Sequence, residues 1–273
     1  RAEMTASVID YLRGFLDASD VAEQERAAEL LGKLPAGEAN RAALREKAAQ
    51  DDAAQAVRWM SLRSLAELAA PEDLGFLQKL SLRKAQEPRL WSMLWYARYR
   101  CGDPQALVDL IEVLASKDFS KQVGKAVQET LRHARPVEGD AACVAMNPKK
   151  GKDTRREACE DLVSFRSPLA LLVLDHLLRN EAAHKDLRQG AAEDLGLLGR
   201  ALHKDDLEAL AKLHTPAGWV APPLLYALEN DSDRLVRIRS ARALGRLGLS
   251  DINERFERLL KDPKENALLR QVV

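Results

Sequence analysis

The chain has 273 residues, 46% of them apolar but only 5% aromatic, and its 42 lysines and arginines balance 42 aspartates and glutamates. A balanced charge argues against a dedicated nucleic-acid binder, whose affinity comes largely from neutralising phosphates with a basic excess. No apolar run approaches the ~20 residues that cross a bilayer as a helix; the longest, 169–174, suits a buried core helix.

Alanine and leucine fill the apolar share, with few β-branched runs and little alternation of period two, so the chain reads as all-α. It begins at Arg1 rather than at a methionine, and 265–273 reads as a helix cut short, so truncation is expected at both ends. Cys101, Cys143 and Cys159 lack CxxC spacing. They read as reduced, partly buried thiols of a cytoplasmic protein. The alternative is a Cys143–Cys159 bridge, worth ~3 kcal/mol for a loop of about fifteen residues and belonging to an exported protein.

In chain order, helices come in pairs. A first helix is expected at 5–18, followed by a second anchored on Ala28, Leu31 and Gly32. The next pair is 38–50 and the helix carrying Val57, Arg58, Leu62 and Leu65. The third begins at 71–85, with Pro71 in the tolerated first-turn position, and continues in a poorly patterned helix near 90–102. The fourth opens with Asp103 as cap and Pro104 behind it; its second helix, around Val123 and Leu131, has Gly124 where an arginine would stand. In 135–152, Pro136, Gly139, Pro148 and Gly151 leave room only for a short helix, 140–146, before Arg155, Cys159 and Leu162 restore the pattern. Ser167 and Pro168 start another first helix, paired with Leu187, Arg188, Ala192, Leu195 and Gly196. A helix start is expected at His203–Asp206. In 214–223, HTPAGWVAPP, the glycine and three prolines predict an ordered loop and a short helix at 224–230. The clearest copy of the pattern is 231–248, an amphipathic helix with aspartates in front and a glycine behind.

The anchor leucines 31, 65, 131, 162 and 195 recur with a period of about 33 residues, one turn of the pattern being indistinct between 65 and 131. A constant period in a helical chain means a two-helix unit stacked on its copies, because no single unit can bury its apolar stripe. About seven such pairs are expected in one domain, 1–273, broken at 135–152 and 214–223.

The run Val236-Arg237, Ala241, Leu244-Gly245, Leu247-Gly248 behind Asp231 and Asp233 resembles the second helix of a HEAT repeat, closest to the short bacterial type. That resemblance implies a right-handed α-solenoid with second helices lining its concave side. Most such proteins are protein-binding scaffolds; a minority bind or modify DNA, and one branch attaches bilin chromophores. The repeat does not choose among these.

Arg58, Arg188 and Arg237, one per repeat with aspartates upstream, read as an Asp–Arg ladder tying successive turns together, with a basic ladder for an acidic partner as the alternative. Arg234, Arg239, Arg242 and Arg246 read as a solvated face, with an anion-binding patch as the alternative. Lys149, Lys150, Lys152, Arg155 and Arg156 form a basic run without phosphate-loop spacing, read as a mobile loop or a docking surface for something acidic. Trp91, Trp95 and Tyr99 at i, i+4 and i+8, and Trp59 with Arg63, are candidate partner contacts, as is Trp219 in the proline-rich segment. The acid pairs Glu160-Asp161 and Glu193-Asp194 are expected on solvent faces. No nucleophile–base pair, glycine-rich nucleotide loop or metal-ligand spacing stands out. The expectation is therefore no catalytic, cofactor or metal residue, and another protein as partner, bound through the concave groove and the two irregular segments. The rivals are a HEAT-like enzyme acting on DNA or on a chromophore, and a nucleic-acid adaptor.

Overall fold

The computed structural model describes residues 2–35, 37–82, 84, 86–116, 121–201, 216–247 and 256. Among them every regular element is helical, and the helices form seven pairs. The pairs are α1 (Ala2–Leu16) with α2 (Val21–Lys33), α3 (Glu38–Ala49) with α4 (Gln55–Leu68), and a 3₁₀ turn, Pro71–Asp73, and α5 (Leu74–Lys79) with α6 (Pro88–Arg100). They continue as α7 (Pro104–Ala115) with α8 (Gln122–Ala134), α9 (Pro136–Met146) with α10 (Lys152–Phe165), α11 (Pro168–Arg179) with α12 (Lys185–Ala201), and α13 (Pro216–Asn230) with α14 (Arg234–Leu247). The expectations at 203–206 and 265–273, and positions 214, 215 and 248 of those at 214–223 and 231–248, lie outside the described residues. None of the described helices is long and apolar enough to cross a membrane.

Caps place the helix starts. Asp20 accepts from the Ala22 N–H at 2.9 Å, Ser167 from the Ala170 N–H, and Asp233 from the Leu235 and Val236 N–H groups. Asp103 stands at the start of α7, but its carboxylate is occupied by Arg98. Prolines at the first position open α6, α7, α9 and α11, where no N–H is required. The second helices α4 and α10 end on Ala69 (φ 49°) and Arg166 (φ 47°), a left-handed exit seldom taken by residues with a side chain.

The chain groups into two compact units, Arg1–Ala134 and Arg135–Val273, where periodicity alone suggests one domain. In the first unit α2, α4, α6 and α8 pack each on the next, with the first helices behind them. In the second, α10, α12 and α14 form one layer and α9, α11 and α13 the other. This is solenoid packing within each unit. All the anchors, Leu31, Leu65, Leu131, Leu162, Leu195 and Leu244, are buried. Small residues let neighbouring second helices approach: Ser64 of α4 lies over Gly32 and donates to the Ala28 carbonyl at 2.9 Å, and Ala243 of α14 sits over Gly196.

Both segments expected to be irregular contain more helix than their prolines suggest. Pro136 opens α9, because a first-turn proline is an initiator and not a breaker, and Gly139 is buried inside the helix. Only 147–151 is a turn. α13 runs from Pro216 through Pro222 and Pro223 without interruption. Two interior prolines each cost about 3 kcal/mol, and what opposes them is burial of Val220, Leu224, Ala227 and Leu228, a complete helical stripe. Residues 71–85 depart the other way: a 3₁₀ turn leads into a helix that stops at Lys79.

Candidate partner-binding faces

The repeat arginines are structural ties. Arg58, Arg155, Arg188 and Arg237 each donate to a backbone carbonyl at or just beyond the end of the preceding first helix: Ala48, Ala145, Ala183 and Asp231 respectively. Ala48 and Ala145 are last-turn carbonyls with no partner inside their helix, and Ala183 and Asp231 lie in the turn beyond it, so the guanidinium satisfies carbonyls left open where each first helix ends. Arg188 also grips Asp231 with two hydrogen bonds, 2.8 and 3.0 Å, both side chains being almost wholly buried. The acid comes from the turn of the following pair, so the ladder runs between repeats. Lys152 reaches Asp186 in the same sense at 2.8 Å, and Arg58 reaches Glu87 at 3.3 Å.

Arg155 and Arg156, expected to face a partner, are committed internally. Arg155 is half-buried on the Ala145 carbonyl. Arg156 lies in the space a side chain at Gly190 would fill, and bonds Asp194 and Glu160. Asp194, expected to face solvent, is buried; burial raises its pKa against the opposing pull of Arg156. Lys149 and Lys150 remain exposed in the turn before α10, and Lys152 is held by Asp186.

The aromatic candidates divide. Trp59 is buried, contrary to its place opposite the apolar face of its own helix. The reason is tertiary: Arg89 of α6 lies over its ring at 5.6 Å and His133 of α8 packs edge-on at 5.4 Å. Glu129 holds the first cover in place, bridging Arg89 at 2.5 Å, and stands 3.9 Å from His133, beyond hydrogen-bond reach. Trp91 is buried, 4.7 Å from Trp95 with Lys84 over its ring. Trp95 donates to Asp109 of α7 at 2.8 Å and is capped by Arg98, so it is tied to the first helix of the following pair. Tyr99 is half-exposed, and so is Arg63, which pairs with Glu67. α13 carries Trp219, whose side chain lies outside the described residues.

Two openings lie in the first unit. A polar cleft of about 310 Å³ runs along α8 past Lys125, Gln128, Glu129, Arg132 and His133, beside the covered Trp59. An apolar pocket of about 380 Å³ lies between α1 and α2, lined by Tyr11, Leu12, Phe15 and Leu30 among others.

The three cysteines are free and buried, so the bridge between Cys143 and Cys159 is not formed. Burial pushes the thiols of Cys101 and Cys159 up to about 12, which keeps them protonated and unreactive. No group of three or more histidine, cysteine, aspartate or glutamate side chains among the described residues could hold a metal ion.

The fold and these faces define an all-helical protein of paired repeats, the architecture that the HEAT-like pattern implies. No family model matches the chain, and no curated protein matches it. Among solved structures it is similar to human deoxyhypusine hydroxylase, at 18% identity and a TM-score of 0.35 over 88% of this chain and 84% of that one. That likeness is too distant to carry an argument about function.

Proposed function

We propose that the protein is a non-enzymatic scaffold that binds another protein through the exposed side of its second helices and the exposed turn before α10. The supporting observation is the cluster spanning three consecutive pairs, Trp59, Arg89, Glu129 and His133, beside the open cleft along α8. A tryptophan under paired charges, next to an open groove, has the composition that interface anchors favour. The repeat does not need these side chains for its ties, since those are made by Arg58 and its equivalents.

The test captures a partner on the purified chain, purifies that partner, and titrates it back against variants. Arg89→Glu with His133→Ala uncovers the cluster, and Lys149→Glu with Lys150→Glu reverses the turn. At least one pair is expected to weaken binding about tenfold or more while circular dichroism is unchanged. Unchanged affinity in both sinks these sites. Tight, steeply salt-dependent binding of a mixed-sequence DNA duplex would favour the nucleic-acid adaptor instead.

A further inference from the structure

The second helices of the Arg135–Val273 unit change in charge along the layer. α10 carries three basic and four acidic residues, α12 three of each, and α14 five arginines and no acid. Two of those five are engaged: Arg237 on the Asp231 carbonyl and Arg239 on Glu193 at 2.6 Å. Arg242 and Arg246, with Arg200 in the last turn of α12, are exposed and have no ionic partner among the described residues.

These side chains stand in register. On α14, Leu235, Arg239, Arg242 and Arg246 fall at i, i+4, i+7 and i+11, within a sector of about 60° on a helix of 3.6 residues per turn. On α12, Glu193, Leu197 and Arg200 fall at i, i+4 and i+7 in the same way. The Glu193–Arg239 bridge sets the two stripes side by side, and the close fit of Ala243 over Gly196 brings the helices together. Each stripe also carries an exposed leucine, Leu197 at 47% and Leu235 at 51%, among the few large apolar side chains left open. The result is a two-helix face about 16 Å long, the rise of three helical turns. It joins apolar contact points to guanidinium groups spaced about one turn apart.

We infer that this face docks an acidic amphipathic helix of a partner protein, its carboxylates spaced one turn apart opposite Arg200, Arg242 and Arg246 and its apolar side on Leu197 and Leu235. The charge is complementary, and guanidinium groups engage carboxylates in two-point hydrogen bonds. A phosphate backbone would find no use for the leucines and would meet Glu193 within the face. The inference rests on the scaffold reading and deepens it by naming partner chemistry and a third place of contact.

The probe is a fluorescein-labelled helical peptide with glutamates at i, i+4 and i+7 flanked by leucines, followed by fluorescence anisotropy against the full chain. Its controls are a lysine-for-glutamate peptide, a serine-for-leucine peptide and a labelled DNA duplex. The acidic probe is expected to bind. Arg242→Glu with Arg246→Glu should weaken it about tenfold or more, and Leu197→Ser with Leu235→Ser several-fold. Lys185→Glu, exposed at the far end of α12, should leave it unchanged. No binding, indifference to the arginine reversal, or tighter binding of the duplex overturns the inference. If the acidic probe fails while the α8 or turn variants still impair a purified partner, the scaffold reading stands and only this face is wrong. All the altered positions are exposed or half-exposed, and unchanged denaturation midpoints confirm that the variants fold.

Discussion

Arg58 in α4 and Arg188 in α12 occupy the same position of the repeat and make different attachments. Arg188 meets a buried carboxylate, Asp231, with two short hydrogen bonds, and two backbone carbonyls besides. Arg58 meets one carbonyl and two longer acid contacts at 3.3 Å, one of them to Asp51, which is almost fully exposed. A repeat fixes where the guanidinium stands, but the burial of its counter-charge decides what the pair contributes. An exposed acid gains little over water, whereas a buried acid left alone is costly.

Removing the tie tests that contrast most directly. Arg188→Ala strands Asp231 in the interior and should cost about 3–5 kcal/mol in denaturant unfolding. Replacing both partners by apolar residues of similar volume should recover much of it. Arg58→Ala, which orphans one buried carbonyl, should cost about 1–2 kcal/mol. Equal losses at the two positions would show that the repeat position, and not the buried partner, sets the energy. The glycines of the second helices offer a parallel pair. A side chain at Gly196 would stand 2.7 Å from the Ala243 side chain and 3.0 Å from its backbone, so Gly196→Ala should destabilise by about 1–3 kcal/mol. Gly245→Ala, in open space on α14, should stabilise by about 0.5–1 kcal/mol through helix propensity.

Two carboxylates sharpen the comparison through pH. Asp194 is raised by burial more than Arg156 lowers it, so its stabilising contribution is full below the ordinary carboxylate range and is lost as pH rises through the raised value. Burial also pushes Asp233 upward, but hydrogen bonds from the Val236 N–H, Gln189 and the Leu235 N–H outweigh it and hold the carboxyl low. Its contribution is present above the ordinary range and is lost as pH falls through the lowered value. Stability of wild type relative to Asp194→Asn should therefore decline as pH rises above the ordinary carboxylate range. Relative to Asp233→Asn it should decline on acidification below about pH 4. Slopes of the same sign would refute the assignment. At the bottom of the scale, Lys152→Ala removes a solvent-exposed pair with Asp186 and should leave the denaturation midpoint unchanged.

The sites were less readable in the sequence than the fold. A helical wheel assigns Trp59 to solvent because it considers one helix, but the ring is covered by side chains 30 and 74 positions later in the chain, Arg89 and His133. Asp194 looked like half of a solvated acid pair beside Glu193, and a gap at Gly190 admits Arg156 to it. The lysines at 149 and 150 were legible as exposed because a Pro–Lys–Lys–Gly turn has no apolar stripe to bury. Leu197 and Leu235 were missed as surface residues, since leucine in an amphipathic repeat is assigned to the core.

By itself the sequence determined that this protein is a chain of helix pairs. Leucines 31, 65, 131, 162, 195 and 244 stand on the buried stripes of six second helices, and helical periodicity is a local property that any stretch of about fifteen residues displays. The tertiary structure alone decided which charges are consumed and which remain available. Arg156 and Arg188 found buried acids on neighbouring pairs, while Arg242 and Arg246 found none among the described residues. It also decided that α13 persists through Pro222 and Pro223, because the buried stripe opposing that local cost exists only once neighbouring helices close over it. Pairing and burial depend on residues tens of positions apart, and a repeating pattern fixes their spacing without saying which partner each will meet.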